Sequence, residues 1–143
     1  MGKKMKVFFK DKVWKKMRKV SKDEFPNEAA SLLVGRKKNE VFKVEKMIEA
    51  KNSQRSRISF QIDPQFLVDT LDKFEGMDME LIGFYHSHPN LHAFVSERDE
   101  KFMKLWPSRV WVIGGTDDRG EVTEVRAFVW RDGVEGVNVE SKA

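Results

Sequence analysis

The segment Glu80-Leu81-Ile82-Gly83-Phe84-Tyr85-His86-Ser87-His88-Pro89 decides the fold that this chain adopts. Glu80–His86 is mostly apolar, which is typical of a central β-strand. Two histidines stand two positions apart at its end, so their imidazoles share one face of the strand, roughly 6.6 Å apart along it. Pro89 stops the strand directly after them. We therefore predict a central strand that carries a pair of histidines at its end.

Helices and strands alternate on both sides of this segment. Turn residues and apolar periodicity predict strands at Met5–Phe9, Glu28–Gly35, Val41–Ala50, Ile58–Ile62, Val110–Ile113, Val122–Trp130 and Val134–Val139, with a turn at Gly114–Gly120. Helices are predicted over residues 11–22, from Asp63-Pro64 to Gly76, and from Ser96 to about Trp106. This order predicts an α/β fold in which a sheet is flanked by helices.

Asp99 follows the histidine pair and falls in the first turn of the next predicted helix, where the helix dipole favours a carboxylate. His86, His88 and Asp99 offer two imidazoles and one carboxylate. Three protein ligands with a fourth position left for water are typical of a catalytic zinc ion. Zinc lowers the pKa of its bound water to about 7, which gives a nucleophile at neutral pH. We predict that these three residues bind one Zn²⁺ with a bound water.

Ser96 has two interpretations. Ser96-Glu97-Arg98-Asp99 resembles a capping box with Asp in place of Glu, in which the serine caps the helix. As a catalytic residue, Ser96 would stabilise the oxyanion that forms when an amide is attacked. The two roles are compatible, and we predict both. The third histidine, His92, lies in the intervening loop and is expected to be exposed rather than a ligand.

A zinc hydrolase also needs a general base that takes the proton of water and passes it to the leaving amine. Spacing alone does not select this residue, because acidic residues are plentiful. Glu28 opens the apolar segment Glu28–Gly35, so we expect it to be partly buried and fixed in position. Asp23, Glu24 and Glu40 lie in polar surroundings, which makes Glu28 the better candidate.

Composition narrows the class of protein. The chain has 143 residues, 40% of them apolar, which suits one domain spanning residues 1–143. No apolar run approaches the roughly 20 residues of a membrane-spanning helix, and no signal pattern opens the chain. We therefore expect a cytoplasmic protein without a membrane partner. The absence of cysteine excludes disulfides, thiolate zinc sites and cysteine nucleophiles. High Lys and Glu content with few Gln is typical of thermophilic proteins.

The net charge of +4 is unevenly distributed. Residues 1–22 hold ten Lys or Arg and one acid, Asp11. Such a segment could bind nucleic acid or an acidic protein, although a solvated helix face is the simpler interpretation. The aromatic residue of the predicted helix, Trp14, is expected in the core, so base stacking has little support. A nucleic-acid-binding module that uses residues 3–22 is kept as the alternative of another class.

The motif residues resemble a known family. His86-Ser87-His88-Pro89, then six residues, then Ser96-Glu97-Arg98-Asp99 resembles the JAMM motif of the MPN+ metalloproteases. The stretch Phe25–Gly35 is similar to the family segment that carries the catalytic glutamate. This resemblance, more than the argument from burial, assigns that role to Glu28.

The likeness spans about residues 5–130, nearly the whole chain. Phe60-Gln61-Ile62-Asp63-Pro64 and Gly83-Phe84-Tyr85 are also similar to small prokaryotic members. Val95 is a departure, because many members have proline before the serine, and we expect it to change only the rigidity of the loop. All motif positions are present, so the chain is not expected to belong to the inactive branch of the family.

The resemblance implies a zinc ion bound by His86, His88, Asp99 and water, with Glu28 as general acid/base and Ser96 as oxyanion support. It implies a cytidine-deaminase-like fold, a mixed β-sheet flanked by helices. Active members mostly hydrolyse isopeptide bonds after the Gly-Gly tail of ubiquitin or ubiquitin-like proteins. A stand-alone domain of thermophile-like composition would suit an archaeal isopeptidase, deubiquitinase-like in chemistry, that acts on small ubiquitin-like modifiers.

In relatives the tail is bound as an added strand, in a channel that only glycines thread. The loop 51–57 and the strand that starts at Ile58 are the candidate edge for the tail. We expect Arg55 or Arg57 to pair with acidic residues of the modifier.

Two further possibilities are open. Some small bacterial relatives cleave the tail of sulfur-carrier proteins or other short peptide-like conjugates, which would keep the zinc and change the substrate. A homodimer could form through the basic helix or the C-terminal hairpin.

Overall fold

The computed structural model describes residues 5–50, 64–74 and 76–141. Strands and helices alternate along them, as predicted. The strands are β1 Lys6–Phe9, β2 Ala30–Lys38, β3 Val41–Ala50, β4 Glu80–His88, β5 Val110–Thr116, β6 Val122–Trp130 and β7 Val134–Ser141. The helices are α1 Asp11–Glu24, α2 Pro64–Phe74 and α3 Glu97–Leu105.

The sheet is mixed, which confirms the predicted type. β1 pairs in parallel with both β3 and β7, and β4 pairs in parallel with β5, while the other neighbours are antiparallel. The order β1-β3-β2-β4-β5-β6-β7 closes into a barrel. Local sequence patterns do not predict this closure, because it depends on β1 joining β3 and β7, which lie far from each other along the chain.

Most predicted elements are found with small changes of bounds. β3 has the predicted bounds, and β2 begins at Ala30, two residues after Glu28. The predicted turn at Gly114–Gly120 is wrong in its first half. β5 continues to Thr116 because Gly114 and Gly115 stay paired with the end of β4. The predicted strand Ile58–Ile62, the loop 51–57 and Asp63 lie outside the described residues.

β4 separates the two apolar clusters of the core. One cluster lies against α1, and it includes the buried α1 residues Val13, Met17 and Val20. The Tyr85 hydroxyl lies on this side, 2.6 Å from Ser21 Oγ. The other cluster lies against α3 and includes Trp111 and Met103. Side chains alternate along a strand, so the neighbour of Tyr85, His86, faces this second cluster.

Candidate metal centre

The end of β4 and the start of α3 bring His86, His88 and Asp99 together. His86 Nε2 lies 2.8 Å from Asp99 Oδ1, and His88 Nε2 lies 3.3 Å from Asp99 Oδ2. All three residues are buried, and one potential ligand atom from each lies within 4.8 Å of the others. The structure therefore places the three predicted ligands as one group, which local spacing alone did not guarantee.

Asp99 also closes the N-terminal cap of α3. The Ser96 backbone N–H donates to Asp99 Oδ2 at 2.9 Å, and the Asp99 N–H donates to Ser96 Oγ at 3.1 Å. This is the predicted capping box with Asp as the third residue of the helix. Since the cap holds the carboxylate in one orientation, the same bonds that begin the helix also aim Asp99 at the two imidazoles.

Electrostatics within the group favour metal ligation. Burial lowers the pKa of His86 despite the nearby Asp99 carboxylate, so its imidazole is neutral at neutral pH. Burial alone would also lower the pKa of His88, but the hydrogen bond and charge of Asp99 outweigh it and the pKa is raised. Burial opposes ionisation of Asp99, yet the two histidines hold its pKa well below the usual range.

The ring of His88 is oriented by a backbone carbonyl. Its Nδ1 lies 3.0 Å from the His92 carbonyl oxygen. Only a protonated Nδ1 bonds to a carbonyl, so Nε2 is the ring atom left for a metal. The His92 side chain itself is 96% exposed, and only its backbone contributes. The expectation that His92 is exposed is confirmed.

The donor set fits zinc. Two imidazoles and a carboxylate are ligands that zinc uses in catalytic sites with an open position. A hard cation such as Ca²⁺ or Mg²⁺ prefers oxygen ligands throughout. A divalent cation between the two imidazole nitrogens and the buried Asp99 carboxylate would neutralise the negative charge of that carboxylate.

Glu28 lies just before β2 and is 7% exposed. Burial, the largest cause, raises its pKa to about 7, and the charge of His88 opposes the shift while that of Asp99 adds to it. The charges of His88 and Asp99 therefore act on Glu28. A carboxyl that titrates near neutral pH is suited to both accept and return a proton.

Ser87 holds the backbone beside Glu28, a role that the sequence analysis missed. Its hydroxyl accepts a hydrogen bond from the Ala29 N–H at 2.8 Å, and its own N–H donates to the Ala29 carbonyl at 3.0 Å. Ser87 is buried between the two histidines. In the sequence, the signal for this role was the position of a small polar residue between two candidate ligands.

Trp111 on β5 was also missed. Its indole N–H donates to His86 Nε2 at 3.1 Å, and the two rings are tilted at a centroid distance of 5.3 Å. The sequence indicated only that Trp111 belongs to a buried strand. The parallel pairing of β4 with β5 turns the indole nitrogen of Trp111 toward His86.

A cavity of about 610 Å³ lies between β6 and β7, away from this group. Its lining holds neither a histidine nor any of the five predicted site residues. The lining residues are Met5, Val125, Arg126, Ala127, Phe128, Arg131, Glu135, Gly136, Val137, Asn138 and Val139. Volume alone carries no chemistry, so we place the candidate site at His86, His88 and Asp99.

Solved structures show the same architecture. A Desulfitobacterium hafniense protein has a TM-score of 0.83 at 24% identity, over 95% of this chain and 92% of its own. A JAB1/MPN domain protein from Archaeoglobus fulgidus has a TM-score of 0.60 at 19% identity, over 99% of this chain and 100% of its own. At these identities the likeness shows the fold alone, which is that of JAB1/MPN domain proteins.

Residues 10–131 match the family model described as prokaryotic homologs of the JAB domain, and the chain belongs to this family. It is 32% identical over 94 residues to a desampylase of Pyrococcus furiosus, covering 66% of this chain and 62% of that protein. A Haloferax volcanii desampylase is 33% identical over 63 residues, 44% of this chain and 45% of its own. The matches therefore span less than two thirds of either desampylase.

A third relative is a probable TtuB-protein conjugate cleaving protease of Thermus thermophilus. It is 36% identical over 114 residues, which cover 78% of this chain and 68% of that protein. The family resemblance drawn from the motif is thereby confirmed.

None of the helices within the described ranges is long and apolar enough to cross a bilayer.

Proposed function

We propose that this protein is a zinc-dependent isopeptidase that hydrolyses bonds after the Gly-Gly tail of ubiquitin-like modifier proteins. The observation that carries the proposal is the buried group of His86, His88 and Asp99 with Glu28 in electrostatic reach. The names of the similar proteins support the substrate class, since one describes cleavage of TtuB–protein conjugates.

His86, His88 and Asp99 would hold the zinc ion. When bound, zinc supplies a Lewis acid and lowers the pKa of water, so that hydroxide is available near neutral pH. Glu28 accepts a proton from the attacking water and delivers it to the departing lysine or backbone amine. Its carboxyl is suited to this exchange because its burial places the pKa at about 7 before a metal charge is added.

Ser96 would donate a hydrogen bond to the carbonyl oxygen that gains negative charge during the attack. The hydroxyl oxygen already accepts the Asp99 N–H at 3.1 Å. That cap uses only a lone pair, so the hydroxyl proton remains available as a donor. The capping role and the catalytic role are therefore compatible in one side chain.

Several finer expectations stay predictions. The tail-binding edge at residues 51–58, with Arg55 and Arg57, lies outside the described residues. Four other expectations are also proposals: the cytidine-deaminase-like classification, the cytoplasmic location, the single domain over residues 1–143 and a homodimer. A second enzymatic candidate keeps the site and takes sulfur-carrier proteins or short peptide-like conjugates as substrates.

The nucleic-acid alternative loses support from the contacts of α1. Lys15 pairs with Asp11 at 3.0 Å, Lys19 pairs with Asp23, and Lys22 pairs with Glu121. Trp14 is partly buried and packs edge-on against the core residue Phe9, with ring centroids 5.5 Å apart. The basic residues are thus partly neutralised, and the aromatic ring is engaged in packing.

The test uses purified protein reloaded with zinc and a ubiquitin-like protein joined through Gly-Gly to a lysine. We expect a gel to show release of the modifier, prevented by a chelator and by Glu28→Gln. A matched conjugate ending in Ala-Ala should resist cleavage. Cleavage of a sulfur-carrier fusion but not of the lysine conjugate would favour the second candidate, and cleavage of neither by zinc-loaded protein would contradict the proposal.

A further inference from the structure

Residues 89–95 link β4 to α3, and we call them the site loop. The carbonyl of His92 in this loop accepts the hydrogen bond of His88 Nδ1 at 3.0 Å. The orientation of the His88 ring therefore depends on where the loop holds that carbonyl. A carbonyl oxygen that accepts from the other ring nitrogen fixes both the tautomer and the direction of a ligating imidazole.

Three hydrogen bonds to side chains of β5 and β6 fasten the site loop around His92, and the longest of them runs from Arg126 Nη1 to the Ala93 carbonyl oxygen at 3.5 Å. The Asn90 N–H donates to Thr116 Oγ1 at 2.8 Å, at the end of β5. The Ala93 N–H donates to Glu124 Oε1 at 2.8 Å, on β6. Because the bond to a carboxylate is charge-assisted, the Glu124 contact is the stronger kind of anchor.

The loop lies directly on β5 at Gly115. A Cβ at this position would come within 2.6 Å of the Leu91 carbonyl oxygen and 2.8 Å of the Ala93 nitrogen. Only glycine allows this approach, which brings the Ala93 N–H within reach of the neighbouring strand β6. The absence of a side chain at Gly115 and the carboxylate of Glu124 thus act on the same part of the loop.

We propose that Glu124 is a positioning residue for the metal centre. By accepting the Ala93 N–H, it fixes the adjacent His92 carbonyl, and with it the His88 imidazole, so that Nε2 faces the zinc ion. This inference rests on the proposed zinc site. Glu124 does not contact any of the three metal-binding residues. It acts through the Ala93 N–H and the His92 carbonyl.

The other contact of Glu124 does not account for this role. Glu124 Oε1 also lies 4.0 Å from Nδ1 of the His92 ring, which is 96% exposed. An ion pair at that distance and exposure is screened by solvent and contributes little. The bond to the Ala93 N–H is shorter and lies closer to the chain that carries the His92 carbonyl.

The test measures zinc affinity by competition with a chromophoric chelator. Glu124→Ala should bind zinc about tenfold more weakly, which is the lower end of the loss expected when a group that orients a metal-binding side chain is removed. Glu124→Gln should stay close to the parent protein, since an amide oxygen accepts the same hydrogen bond. Rescue by the glutamine variant would separate an acceptor role from a general effect of charge.

Two variants serve as matched controls. Glu121 is 44% exposed against 42% for Glu124, and it pairs with Lys22 away from the site loop. Glu121→Ala removes the same charge and should leave zinc affinity unchanged. His92→Ala keeps the carbonyl and removes the ring, so it should also bind zinc like the parent.

A second measurement does not need the metal. In ¹⁵N spectra of the metal-free protein, above the pH at which the imidazole titrates, His88 should be protonated at Nδ1 in the parent and in Glu124→Gln. Glu124→Ala should show a mixture of tautomers. This readout reports which ring nitrogen of His88 carries the proton, and a general loss of stability would not change it.

The outcomes separate the two proposals. If Glu124→Ala bound zinc as tightly as the parent, or if Glu124→Gln were as weak as Glu124→Ala, the positioning role would be wrong and the zinc site would stand. If the parent bound no zinc, the proposed function would be wrong. The tautomer comparison would then decide by itself whether Glu124 orients His88.

Discussion

Replacing Glu28 with glutamine should stabilise the metal-free protein and strongly lower the kcat of the zinc-loaded protein. Glu28 is 7% exposed, and its burial raises the pKa from 4.5 to about 7. In the unfolded chain the carboxyl ionises near 4.5, so between the two values the folded state holds more protons. Stability therefore falls as pH rises through this window, because the unfolded state releases its proton first.

The magnitude follows from the two pKa values. At about 1.4 kcal/mol per pH unit, keeping Glu28 ionised in the folded state costs about 3 kcal/mol above pH 7. Below pH 4.5 the carboxyl is protonated in both states and the cost is absent. Glutamine carries no charge at any pH, so Glu28→Gln should match the parent at low pH and exceed it by about 3 kcal/mol at pH 8.

The assay is urea denaturation at a series of pH values in the presence of a chelator, because the positive charge of zinc would favour the Glu28 carboxylate. Glu49→Gln, on the exposed surface of β3, is the control and should show little difference at any pH. Equal stability of parent and Glu28→Gln at pH 8, or a gap that does not change with pH, would refute the reasoning. Zinc-loaded Glu28→Gln should keep its metal and lose at least about 100-fold in kcat.

Other predictions concern the remaining site residues. Ser87→Ala leaves the Ala29 N–H buried without its acceptor, so we expect about 1–3 kcal/mol lower stability and a reduced kcat at unchanged zinc affinity, with Ser87→Thr restoring both in the same assays. Zinc at about 100 times its Kd should stabilise the parent by about 3 kcal/mol; a similar gain in His88→Ala would exclude this residue as a ligand. His86 Nε2, which accepts the Trp111 indole N–H, would bind the zinc ion, so zinc addition should change tryptophan emission in the parent and not in Trp111→Phe.

The local pattern around the histidine pair determined much of the candidate site. The two-residue period of a strand places His86 and His88 on one face, and the capping preference of Ser96 with Asp99 places a carboxylate at the start of α3. Each of these features depends on residues within a few positions of one another. The burial of Glu28 was likewise expected from the apolar run that follows it.

Tertiary pairing decided what the sequence could not. Ser87 meets Ala29 across 58 positions and Trp111 meets His86 across 25, while closure of the barrel joins β1 to β7. No local periodicity specifies such partners, because a strand presents the same unpaired N–H and C=O groups to any neighbour. The sequence therefore determined which groups could form a metal site, and only the register of distant strands decided which side chains support it.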